Sequence, residues 1–128
     1  RGNFEILFEL SVAPTISSYG TGFIGGSGIL RYNFVQPNAM VVPYLQVGVG
    51  GLLNDAYTTQ TQRAIGQAAE FYLRAHVGFR FYLSSNWSCD LEGGLEHISN
   101  ACFAKRNSGV NPVGACIGFT YHFPSGGR

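Results

Sequence analysis

Charge is scarce in this chain. Only 12% of its 128 residues are Asp, Glu, Lys or Arg, against roughly 25% in an ordinary soluble domain. The net charge of +1 argues against a nucleic-acid-binding surface. Also missing is any apolar run near the roughly 20 residues of a membrane helix. Cysteine is sparse and odd in number: Cys89, Cys102 and Cys116 cannot make a complete intramolecular disulfide framework, and their spacing matches no zinc pattern. They read as small apolar fillers. The sequence opens at Arg1 without an initiator Met or a signal peptide, so it reads as a mature form or a fragment. What is plentiful is glycine, with 18 residues, and aromatics at 14%. Low charge without a helical span leaves a glycine-rich soluble β protein or a membrane β-barrel.

The chain alternates with a period of two, the signature of strands. Phe4, Ile6, Phe8, Leu10 and Val12 fall on one side of the first stretch, with Asn3, Glu5, Glu9 and Ser11 on the other. Pro14 and S-S-Y-G-T-G end it in a loop. A second strand spans about Phe23 to Phe34 and a third Val41 to Leu52, followed by a polar loop from about Asn54 to Ala69. In Glu70 to Leu83 the odd face is Phe71, Leu73, Ala75, Val77, Phe79, Phe81 and Leu83, while the even face carries Arg74, His76 and Arg80. A fifth strand sets Cys89, Leu91, Gly93, Leu95 and His97 against Asp90, Glu92 and Glu96, and a sixth runs from Val113 to Phe123.

Alternation alone does not say which face is inside. A soluble barrel lines its interior with the apolar face; a membrane barrel turns that face to lipid. Strand lengths of ten or more residues suit a tilted crossing. The polar faces carry both signs and small glycines, as a narrow interior filled by ion pairs requires. Aromatics such as Phe71, Phe81, Phe119, Tyr121 and Phe123 collect near strand ends, as in an interfacial girdle, and Trp87 reads as an interfacial anchor. Connections alternate long and short, the habit of outer-membrane barrels, so the loop after His97 is expected on the outside. His76 and His122 fall on polar faces and read as hydrogen-bonded interior residues.

His97 and Ser99 are two residues apart, so on a strand they point the same way. A base and a hydroxyl on one face can make a hydrolase site, although such a pair alone is more simply two unrelated side chains. Here it sits within E-H-I-S-N-A, followed by R-N-S-G-V-N and a final G-F-T-Y-H-F. With V-P-Y-L-Q-V-G-V-G-G upstream, this resembles the PagL-type lipid A 3-O-deacylases along the whole chain, in the pattern H-x-S-N-A, then N-x-G, then an aromatic-ended last strand. The resemblance implies an all-β fold, an antiparallel eight-stranded barrel in the bacterial outer membrane. It would cleave the ester-linked acyl chain at position 3 of lipid A at a site facing the outer leaflet. No metal or other cofactor is implied. The implied partners are lipopolysaccharide and outer-membrane lipid, with no nucleic acid and with homodimerisation left open.

Carried onto this sequence, the resemblance makes Ser99 the nucleophile and His97 the base. Asn100, through side chain or backbone, and Asn107 become candidates for holding the oxyanion; Asn100 reads equally as a turn residue closing the strand. Lys105 and Arg106 become candidates for pairing with lipid A phosphates, or are solvated loop charges. Gly109 supplies a positive φ. Two departures stand out. Asn111 occupies the place of the family's orienting Glu; the comparable acid-to-amide change in a serine protease costs about 10⁴ in turnover. Glu96, its neighbour on the strand, should point inward to an Arg such as Arg74 or Arg80. Moreover, residues 1–128 read as one barrel domain with six strands where the family has eight, which implies an N-terminal hairpin outside this sequence. The leading reading is therefore a Ser/His esterase. A catalytically inactive outer-membrane barrel with a structural or lipid-binding role is the alternative, and a soluble ligand-binding barrel a third.

Overall fold

A computed structural model of the chain describes residues 1–14, 20–59, 61, 63–103, 105 and 108–123. Every period-two stretch is a strand: β1 (Asn3–Pro14), β2 (Gly22–Asn33), β3 (Val41–Asn54), β4 (Ala69–Tyr82), β5 (Trp87–Ser99) and β6 (Val113–Tyr121). They form one antiparallel sheet in chain order. The bounds differ little from expectation; β3 runs on to Asn54 and β6 stops at Tyr121. Among the described residues β1 and β6 do not pair with each other, and the one helical piece is a 3₁₀ turn at Ala56–Thr58.

Which face is inside is now settled. Phe8 and Leu10 are 89% and 92% exposed, and the same outward face continues through Leu45, Val47, Val49, Leu73, Val77 and Leu95. Arg31, Arg74, His76, Arg80 and Asp90 are buried. The barrel wall is thus inverted relative to a soluble one. Side chains from strands that are not neighbours meet across the polar face, so that face is concave. Arg74 on β4 reaches Glu9 on β1 at 2.6 Å, and Tyr44 on β3 donates to Glu92 on β5 at 2.8 Å. Glu92 is the hub. Its carboxylate also accepts from Gln46 and Arg74, and Arg31 lies 3.5 Å away. Charges excluded from water need such partners, since an unpaired one costs several kcal/mol.

Two expectations are corrected here. Glu96 does point inward, but it pairs with neither arginine. Arg74 is taken up by Glu9 and Glu92, and Arg80 by Asp90 and Glu5. Glu96 instead accepts the Tyr72 hydroxyl at 2.7 Å and stands 3.3 Å from His76 Nε2. The cysteines are not buried filler: Cys102 and Cys116 are exposed, and Cys89 is half-buried on the outward face. The interior histidines are hydrogen-bonded as expected, His122 Nε2 to Ser88 Oγ at 2.9 Å and His76 Nδ1 to Glu92 at 3.2 Å.

The two ends of the sheet differ. At the short-turn end, aromatic rings pack along the outward face: Phe4 on Tyr32, Tyr32 on Phe34, Trp87 on Tyr121 and Tyr121 on Phe123, with centroids 4.9–5.1 Å apart. At the long-loop end the connections are tied to one another. Asp55 takes the Thr21 hydroxyl at 2.7 Å and the Thr21 N–H on both oxygens. Those bonds, the hydroxyl foremost, hold its carboxyl below the usual carboxylate range. A depressed acid contributes its share above the ordinary carboxylate pKa and loses it as pH falls through the folded value.

Candidate active site

The site residues stand at the long-loop end of β5. His97 is opposite Leu73 of β4 and Ser99 opposite Phe71, so both belong to the outward, apolar row. Alternation along β5 requires this. On the other side the β5–β6 register continues past the formal start of β6. Glu96 N–H donates to Pro112 O at 3.0 Å, and Ile98 and Val110 exchange a pair of 2.9 Å bonds. That ladder sets Asn111 directly across from His97 on the same face, where cross-strand side chains meet. The two touch: His97 Nδ1 and Asn111 Oδ1 are 2.6 Å apart. An amide oxygen can only accept, so this bond puts the proton on Nδ1 and leaves the Nε2 lone pair free.

Around the pair the backbone is unusual. Gly109 has φ +70°, and a Cβ there would lie 3.1 Å from His97 Cε1; the expected positive φ, which favours glycine, is present, and with it an approach to the imidazole edge so close that a side chain would have to push the ring aside by a few tenths of an ångström. Past Ser99 the chain turns at once. Phe103 N–H donates to Asn100 O at 2.9 Å, and between them Ala101 and Cys102 have φ of 49° and 69°. Two left-handed residues inside a four-residue turn make a type I′ turn, at about 1–3 kcal/mol of strain for each non-glycine. Asn100 opens this turn and is fully buried, the place of the turn residue that was weighed against an oxyanion role.

His97 and Ser99 share a face but, among the described residues, no hydrogen bond joins them. Such bonds commonly tighten only once substrate is bound. Lys105 is exposed in the following loop. Arg106 and Asn107 lie outside the described residues. Among those described, no group of three His, Cys, Asp or Glu side chains is placed to hold a metal ion.

One feature escaped the sequence reading. The outward row through Ser99 continues from Phe71 to Gly51, Gly26 and Leu10. Because two glycines meet there, the apolar surface is notched. The hollow measures about 640 Å³, with Leu10, Ile24, Leu53, Phe71 and Phe103 among its walls. Phe103 leans on Phe71 with centroids 6.1 Å apart. Outward-facing glycine in a strand was the signal. It is unfavourable in strands generally and often marks a close approach by a ligand, yet alternation alone also assigns glycine to the crowded inner face.

The family model described as lipid A 3-O-deacylase (PagL) matches residues 3–120. No curated protein and no solved structure matches the chain.

Proposed function

The chain belongs to the lipid A 3-O-deacylase (PagL) family, and from that premise we propose that it is an outer-membrane esterase whose Ser99 and His97 remove the acyl chain ester-linked at position 3 of lipid A. Ser99 Oγ attacks the ester carbonyl while His97 Nε2 takes its proton. The tetrahedral intermediate collapses as His97 returns that proton to the departing sugar oxygen. Water, activated the same way, then releases the fatty acid from Ser99. Asn111 keeps the imidazole in the tautomer this requires. Lys105, with Arg106, pairs with the phosphates of lipid A.

The observation that carries the reading is the 2.6 Å contact between His97 Nδ1 and Asn111 Oδ1 on the apolar outward face. A base with its Nε2 lone pair free, beside a serine and facing lipid, suits an ester carried by a lipid. The hollow beginning at Phe71 offers its acyl chain an apolar bed. The outward apolar face and the aromatic clusters at the short-turn end support placement in a bilayer, with the long loops and the site at the outer leaflet.

One observation favours a second reading, a catalytically silent outer-membrane barrel: the orienting group is a neutral amide, which cannot stabilise imidazolium by charge. The test is mass spectrometry of purified lipopolysaccharide incubated with refolded protein in detergent, comparing wild type with Ser99→Ala and His97→Ala. Loss of one acyl chain with wild type only is the expected result. No loss from a folded barrel, with Asn111→Glu restoring it, would assign the silent reading to the missing acid. No loss with either would sink the esterase.

A further inference from the structure

Glu70 is a charge in an odd place. It is 3% exposed at the start of β4, and among the described residues no cation pairs with it. Its Oε1 instead accepts two backbone bonds, from Gly66 N–H at 3.1 Å and Gln67 N–H at 3.2 Å. Burying a carboxylate for two neutral donors costs more than an apolar side chain of the same size. What Glu70 achieves is local: it fixes the end of the β3–β4 loop, where Ile65 is buried as an anchor. The residues just before, Arg63 and Ala64, turn their carbonyls to the β5–β6 hairpin and accept Ser108 N–H and Gly109 N–H, both at 3.2 Å. Gly109 is the residue packed against the His97 ring, and Asn111, two residues on, holds Nδ1.

We infer that Glu70 is a positioning residue for His97, acting through a strap of residues 63–67 that sets the height of the hairpin carrying Gly109 and Asn111. Glu70 holds 66–67, residues 63–64 hold 108–109, and 109 and 111 hold the imidazole. The inference rests on His97 being the base. A neutral orienting partner makes the strap matter more, because no charge on Asn111 draws the ring into place. Misplacement of a base by about 1 Å costs on the order of 10²-fold.

The test uses the full chain refolded in detergent micelles and ¹⁵N-labelled, in wild type, Glu70→Ala, Glu70→Gln and Ile65→Ala. In folded Glu70→Ala, the Gly109 amide should exchange about tenfold faster and the His97 Nδ1–H resonance should broaden or vanish. Turnover per folded barrel should fall about tenfold to a hundredfold with KM little changed. Glu70→Gln keeps an acceptor oxygen and should restore all three. Ile65→Ala loosens the anchor alone and should give a weaker form of the same pattern, which keeps the test decisive where Glu70→Ala does not fold. Unchanged Gly109 exchange and an unchanged His97 signal in these variants would overturn the inference, as would activity that falls only with the folded fraction. Because exchange and the His97 signal are read without substrate, they test the strap even where wild type deacylates nothing, an outcome that would count against the esterase alone.

Discussion

His76 and His97 sit on adjacent strands of one sheet and face opposite ways. His76 points into the barrel. It is 4% exposed, 3.2 Å from Glu92 and 3.3 Å from Glu96, with Arg74 beside it. His97 points out, meets one neutral oxygen and packs against a glycine. The inner ring has both nitrogens beside carboxylates and no room for a substrate. The outer one keeps a nitrogen free. The contrast shows how this chain distributes its few charges. Its carboxylates and guanidinium groups are concentrated inside, where they satisfy one another, while on the outward face His97 meets a neutral amide. A charged side chain at a lipid surface is costly, so for the bilayer placement proposed above an amide at Asn111 suits its surroundings even though it would stabilise imidazolium less.

Exchanging the two histidines for alanine should break the comparison most sharply. His97→Ala should lower deacylation by about 10⁴ or more, as should Ser99→Ala, with the barrel as stable as before. His76→Ala should leave turnover per folded barrel near wild type and lower stability instead. Mass spectrometry of the product, normalised to folded protein by gel mobility, separates the two. Equal losses from both histidines would mean that the inner network takes part in the chemistry.

The next effect belongs to the interior. Glu92 is the acceptor for Arg74, Tyr44, Gln46 and His76. Glu92→Ala takes from buried Arg31 its carboxylate and leaves Arg74 with Glu9 alone, and should destabilise the barrel by about 3–5 kcal/mol, measured by urea unfolding in detergent. Turnover per folded barrel should hold. On the outside, Asn111→Ala should do the reverse: unfolding unchanged, turnover down about tenfold to a hundredfold. If Asn111→Ala left turnover intact, the 2.6 Å contact would have no part in holding the base.

Much of this was legible because a strand's alternation fixes its faces. Residue by residue, the period of two placed His97 and Ser99 together and Glu96 opposite them. The side of the sheet facing inward was decided by the scarcity and sign of charge. Partners were not legible in the alternation itself; that Asn111 stands by His97 was implied only by the family resemblance. Asn111 meets His97 because Glu96, Ile98, Val110 and Pro112 extend the β5–β6 register into what reads as a polar loop, and Pro112 alone suggests that the ladder stops there. Glu96 finds His76 rather than an arginine because the arginines are claimed from β1, a contact across the barrel that no local pattern encodes. The strap from Glu70 depends on two loops meeting, which sequence spacing does not reveal.

The smallest expected effect sharpens the outward half of the comparison. If neutral, apolar surface is what the site uses to hold its substrate, the notch at Gly26 and Gly51 should matter to the acyl chain and to nothing else. A Cβ added at Gly51 would meet only Glu70 O, at 3.8 Å, so Gly51→Leu fits the fold and places its side chain in the hollow. Stability should be unchanged or slightly raised, because glycine is a poor strand residue. For substrates with long acyl chains, kcat/KM should fall about tenfold, the scale of a few apolar contacts in a pocket. Substrates with short chains should be cleaved at the wild-type rate. A uniform loss across chain lengths would mean that the leucine disturbs Phe71 and, through it, Ser99 rather than the acyl bed. No loss at any length would place the chain elsewhere on the barrel, with the depression of about 390 Å³ beside Leu73, Leu95, His97 and Asn111 as the surface left to hold it.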